Sequence, residues 1–80
     1  MGSIFKNPPG EYAGRLIEAA GLKGTRMGGA EISPIHANFM INDEGARASD
    51  VYDLIRLAQE RVLEKFGIEL ELEIELVGQW

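Results

Sequence analysis

Three observations predict an α+β domain, ordered short β, α, β, β, α, β, with a mostly antiparallel sheet and two helices packed on one face. Val51, Leu54, Ile55, Ala58, Val62 and Phe66 recur at helical spacing and stop at Gly67. Ile68, Leu70, Leu72, Ile74 and Leu76 alternate with Glu69, Glu71, Glu73 and Glu75, the period of a strand with one buried face. Eighty residues, 45% of them apolar, are enough for one core, so residues 1–80 read as a single domain.

Gly2 to Lys6 is a short extended segment, because Asn7-Pro8-Pro9-Gly10 continues neither strand nor helix. From about Tyr12 the apolar positions 12, 13, 16, 17, 19 and 20 form a helical stripe of roughly ten residues, and Gly21 suits a left-handed end. Thr25 to Ile32 reads as a strand whose Gly28-Gly29 marks a bulge or a close approach. After Ser33-Pro34, Ile35, Ala37, Phe39 and Ile41 alternate with His36, Asn38, Met40 and Asn42, a second strand with one polar face. Ser49 is the expected N-cap of the long helix, with Asp50 and Asp53 at the positive end of its dipole.

Composition excludes several function classes. Without cysteine there is no disulfide framework, thiolate metal site or cysteine nucleophile, and a reducing, cytoplasmic setting is allowed. A single histidine, His36, removes multi-histidine metal sites. No apolar run approaches the ~18 residues of a membrane span, and the start of the chain lacks the apolar stretch of a signal peptide. A net charge of −5 argues against nucleic acid as the main partner. That charge is uneven: residues 1–42 carry four basic and three acidic side chains and most of the glycines, whereas residues 43–80 carry four basic against ten acidic. An anion would therefore be received by the first half, unless the second simply presents a solvated acidic face.

Three sets of residues can carry chemistry. Ser3, Lys6 and Asn7 before a helix start supply the cation, amide and main-chain N–H groups that a diphosphate needs, although a lysine and an asparagine before a proline turn also make ordinary surface. One of the four strand glutamates would serve as general acid if partly buried, or all four are solvated, and the period does not choose among them. His36 and Asn38 share one polar strand face, as ligand contacts or as plain surface. There is no Ser-His-Asp set, dinucleotide fingerprint or phosphate loop.

Gly2-Ser3-Ile4-Phe5-Lys6-Asn7-Pro8, Ala13-Gly14-Arg15-Leu16-Ile17-Glu18, Ala20-Gly21-Leu22-Lys23-Gly24, Gly28-Gly29-Ala30, Ser33, His36-Ala37-Asn38-Phe39, Asn42, Phe66-Gly67 and Leu70-Glu71-Leu72-Glu73 follow one another in this order. Together they resemble the C-terminal domain of the UDP-N-acetylenolpyruvoylglucosamine reductases, over nearly the whole chain. The resemblance implies a bacterial, cytoplasmic flavoenzyme of peptidoglycan precursor synthesis, in which NADPH reduces FAD and the flavin reduces the enolpyruvyl group of a UDP-sugar. It further implies that Ser3 donates the proton to the neighbouring carbon, that Glu73 is the second catalytic residue, that Asn7 with Lys6 binds the substrate diphosphate, and that His36 faces the substrate. Leu72 stands where the family has a proline before that glutamate, and the FAD-binding part of the family enzyme is absent from these residues.

The expected protein is thus an isolated substrate-binding domain, cut from its parent or redesigned on it. Alone it is inactive, without a cofactor, and binds UDP-N-acetylenolpyruvoylglucosamine on the order of millimolar, its face for the FAD domain left open. The rival expectations are an engineered or excised scaffold with neither ligand nor activity, and a module that self-associates through that face.

Overall fold

A computed structural model describes residues 3–42 and 45–73. Its elements are α1 (Ala13–Ala19), β1 (Arg26–Met27), β2 (Ala30–Ile32), β3 (Met40–Asn42) and α2 (Ala48–Phe66). The strands form an antiparallel sheet in the order β1-β2-β3, with Arg26 opposite Glu31, Met27 opposite Ala30, and Ile32 opposite Met40. The α+β class expected from the sequence is the class observed. The first extended segment reaches the residue before β3 by a single bridge, Ser3 to Phe39, and the last extended segment pairs with the first, Leu72 with Phe5.

α2 carries the core. Its inward stripe, Val51, Leu54, Ile55, Ala58 and Val62, is buried as the spacing predicts, and Gly67 closes it in the left-handed conformation with its N–H on the Leu63 carbonyl. The helix begins two residues earlier than Ser49 as cap would allow. Arg47 is the residue before the first turn, and the Asp50 carboxylate reaches back to accept its N–H at 3.0 Å. α2 lies across β1 and β2, and α1 packs against α2 through Ala13, Leu16 and Ile17. Ile4, Phe5, Ile32 and Leu70 complete the interior, and each large side chain so buried stabilises the fold by roughly 1.5–3 kcal/mol.

Two sequence expectations are corrected. Thr25 to Ile32 is a hairpin rather than one strand, because Gly28 turns the chain at φ 56° and lets Met27 face Ala30. The same glycines are also the expected close approach. A Cβ on Gly28 would run into the Asp50 carboxylate, and one on Gly29 would stand 2.5 Å from the Ala46 nitrogen. The second correction concerns residues 35–39, which are not strand. Buried Ser33 accepts the N–H groups of Ile35 and His36 on its Oγ, both at 3.1 Å, and the Phe39 N–H bonds the His36 carbonyl. The chain therefore turns where alternation suggested extension, Ile35 is 72% exposed, and the buried side chain of β3 is Met40. α1 is likewise shorter than expected, at seven residues. The final alternation holds in part, with Ile68 half-buried, Leu70 buried and Glu69, Glu71 and Glu73 exposed, but Leu72 is exposed rather than buried, while Glu75 and the rest of that strand lie outside the described residues.

Candidate functional site

A groove of about 320 Å³ opens between the Ser3–Asn7 segment, the start of α1 and the 35–39 turn. Ser3, Asn7, Gly14, Glu18, His36 and Asn38 contribute to its wall, and Tyr12, Ile35 and Phe39 expose apolar surface around it. It thus combines a few polar groups with an apolar rim, the make-up of a small-molecule site.

The position of each polar side chain has a local cause. The Asn7 carbonyl oxygen accepts the Ala13 N–H at 2.9 Å, which ties the extended segment to the first turn of α1. Its acceptor is thereby used inside the fold, and its NH2 group is left as donor. Ser3 is fixed by its bridge to Phe39 and by the neighbouring Ile4 N–H on the Asn38 carbonyl at 2.8 Å. His36 is carried out on the turn that Ser33 holds, and its ring lies 5.8 Å from that of Phe39, tilted by 50°. Glu18, the acidic wall residue, is paired with Lys23 at 3.2 Å, which offsets its charge toward an incoming anion.

Three residues singled out from the sequence, Ser3, Asn7 and His36, share this groove. Lys6 does not: it lines a smaller cavity of about 120 Å³ with Asn7, Pro8, Pro9, Glu69 and Glu71. Asn7 touches both. Glu73 lines neither of these two cavities, but its N–H donates to the Ile4 carbonyl at 2.9 Å, beside Ser3 in the chain. The three described glutamates of the final alternation are exposed, so solvent screens their mutual repulsion.

Sequence reasoning named Asn38 as a ligand contact or plain surface and Ser33 only within the resemblance, and missed that both hold the walls in place. Both bond main-chain groups, and the one signal for them was local: a serine before a proline, and an asparagine on an otherwise apolar run. At the start of α1, Glu11, which precedes the helix, and Arg15 in its first turn form an exposed pair, and the hydrogen bond from the guanidinium holds the Glu11 carboxyl below its ordinary value. Among the described residues no group of His, Asp and Glu could hold a metal ion. No helix among them is long and apolar enough to cross a membrane.

Comparison with known proteins agrees with this architecture. The chain is 66% identical over 80 residues to the UDP-N-acetylenolpyruvoylglucosamine reductase of Anaeromyxobacter dehalogenans, covering all of this chain and 24% of that protein. It is 63% identical over 76 residues to the enzyme of the same name from Chloroflexus aggregans, covering 95% of this chain and 26% of that one. The chain spans about a quarter of the length of these curated relatives. The crystal structure of UDP-N-acetylenolpyruvylglucosamine reductase (MurB) from Thermus caldophilus superposes with a TM-score of 0.72 at 54% identity, over 90% of this chain and 26% of that one. Residues 1–77 match the family described as the C-terminal domain of UDP-N-acetylenolpyruvoylglucosamine reductase, and the chain belongs to that family.

Proposed function

We propose that these residues form the substrate-binding part of a bacterial reductase that converts UDP-N-acetylenolpyruvoylglucosamine to UDP-N-acetylmuramate for peptidoglycan synthesis. The observation that carries the reading is the groove in which Ser3 and Asn7 meet His36, which is distant from both in sequence. Asn7, whose carbonyl oxygen is occupied, offers N–H donors to a diphosphate, with Lys6 supplying positive charge from the adjoining cavity. His36 on the opposite wall contacts the sugar or the enolpyruvyl group.

Ser3 is the proposed proton donor. A serine hydroxyl is a weak acid, so it serves only against a strongly basic carbon held within hydrogen-bond reach, which is what a fixed Ser3 and a bound substrate would provide. Glu73 is proposed as the second catalytic residue, brought beside the Ser3 segment by its main-chain bond to Ile4. The described residues do not fit FAD: the larger groove, at about 320 Å³, is at the low end for a small ligand, and no glycine-rich dinucleotide turn adjoins it. FAD and NADPH are therefore assigned to other parts of the reductase, and the 80 residues alone bind without turnover. With half of the contacts missing, the dissociation constant is on the order of millimolar.

The test is a two-dimensional amide NMR titration of this chain with UDP-N-acetylenolpyruvoylglucosamine, with UDP as reference. Saturable shifts at Ser3 to Asn7 and at His36, with UDP moving only the diphosphate side, are expected. A dispersed spectrum that neither ligand moves rejects the reading and leaves a folded domain without a ligand.

A further inference from the structure

We infer that Asn38 is the positioning residue of the groove: its side-chain amide holds the Phe5 peptide where the register offers no main-chain partner, and so sets where Ser3 and Asn7 stand relative to His36. The register demands such a substitute. Ser3 lies opposite Phe39 with the Ile4 N–H on the Asn38 carbonyl, so an antiparallel ladder continued from there would place Phe5 opposite Ala37 in a pair without main-chain hydrogen bonds. The chain also turns at 36–39, through the Phe39 N–H on the His36 carbonyl, so the Phe5 peptide needs another partner on this side. Asn38 fills the gap with both ends of its amide. Its Oδ1 accepts the Phe5 N–H at 3.0 Å, and its Nδ2 donates to the Phe5 carbonyl at 2.9 Å.

The same residue ties three walls together. Its own carbonyl accepts the Ile4 N–H at 2.8 Å, and its Cβ and nitrogen lie beneath Gly14 of α1, where an added Cβ would meet them at 3.7 and 3.8 Å. Phe5 stands midway between Ser3 and Asn7, so a two-point hold on its peptide fixes both neighbours, while His36 is two residues from Asn38 on the turn. Asparagine is required by this geometry. Aspartate keeps the acceptor but turns a carboxylate toward the Phe5 carbonyl, and alanine provides neither bond.

The consequence for binding rests on the substrate groove proposed above, whereas the clamp itself does not, and the experiment separates the two. In the unsubstituted chain, a scalar coupling across the hydrogen bond between the Phe5 amide nitrogen and the Asn38 side-chain carbonyl carbon is expected. In Asn38→Ala the Phe5 amide should exchange at least about tenfold faster while Ala58 and Val62 of α2 exchange as before, and the affinity for UDP-N-acetylenolpyruvoylglucosamine should fall about tenfold. Asn38→Asp should keep much of the Phe5 protection yet lose the affinity, a split that a mere space-filling role would not give. Asn42→Ala, at an exposed position outside the groove, should change none of these readings. No coupling in the unsubstituted chain, or unaltered binding by Asn38→Asp, overturns the inference. If Asn38→Ala unfolds, the α2 amides show it, and the coupling and Asn38→Asp decide. If the unsubstituted chain binds no UDP-sugar, the proposed function fails and the clamp is judged on the coupling and on Phe5 exchange alone.

Discussion

The hairpin that α2 covers and the groove at the other side of the molecule are held together by different bonds. Around α2 the ties are main-chain pairing, apolar burial and close backbone approach: Arg26 to Glu31, Leu54 in the interior, Gly29 against Ala46. Around the groove, polar side chains replace main-chain partners: Asn7 on Ala13, Ser33 on Ile35 and His36, Asn38 on Phe5. The first region needs particular sizes and the second particular donors and acceptors. A site built in the second way has walls that are themselves polar, so residues with chemistry to offer also carry structural duty.

The comparison breaks most severely at Leu54. Leu54→Ala should lower unfolding free energy by about 3 kcal/mol, a large share of the stability of a domain this small, and urea titration followed by circular dichroism should show both regions lost in one transition. Two transitions would mean that the groove is a separate unit. Gly29→Ala comes next, since the new methyl meets the Ala46 backbone and something must shift; a loss of about 2–3 kcal/mol is expected, with amide shifts confined to residues near 28–30 and 46–50.

In the groove the effects are smaller and depend on chemistry rather than volume. Asn7→Ala should cost about 1 kcal/mol by freeing the Ala13 N–H, whereas Asn7→Asp keeps an acceptor there and should stay within about 0.5 kcal/mol of the unsubstituted chain. Both should weaken UDP-sugar binding, and equal destabilisation by the two would refute the cap. The smallest effect belongs to Arg15→Ala. Because Glu11 titrates below its ordinary 4.5 in the folded chain, its contribution is present above that value and is lost as pH falls through the lowered one. Replacing Arg15 should return the Glu11 carboxyl to the ordinary value in a carbon-detected NMR titration, with the unfolding midpoint at pH 7 almost unchanged, because the pair is exposed.

The two regions also differ in how well the sequence foretells them. α2 was readable because burial on one face leaves a 3.6-residue period, and Gly67 sits where only a left-handed residue ends it well. Leu70 between Glu69 and Glu71 was readable for the same kind of reason. The 33–39 turn was not, because Ile35, Ala37, Phe39 and Ile41 imitate a strand, and what bends the chain is the buried Ser33 hydroxyl, whose bonds leave no periodic trace. Ser3, Asn7 and His36 were named from motifs, yet that they share a groove while Lys6 opens on another cavity depends on contacts between segments far apart in the chain. Gly28-Gly29 was read as a close approach but not as a hairpin, since a pair of glycines is compatible with both.

The pairing of Phe5 with Leu72 has a consequence for how the protein is made. Ser3 to Asn7 are synthesised more than sixty residues before one of their two flanking partners, residues 71–73. Closing a loop of that span is slow, whereas the turns of each helix and the hairpin form between near neighbours in the chain. A nascent chain therefore carries the Ser3 to Asn7 segment unpaired on that side until residues 71–73 have been made and dock.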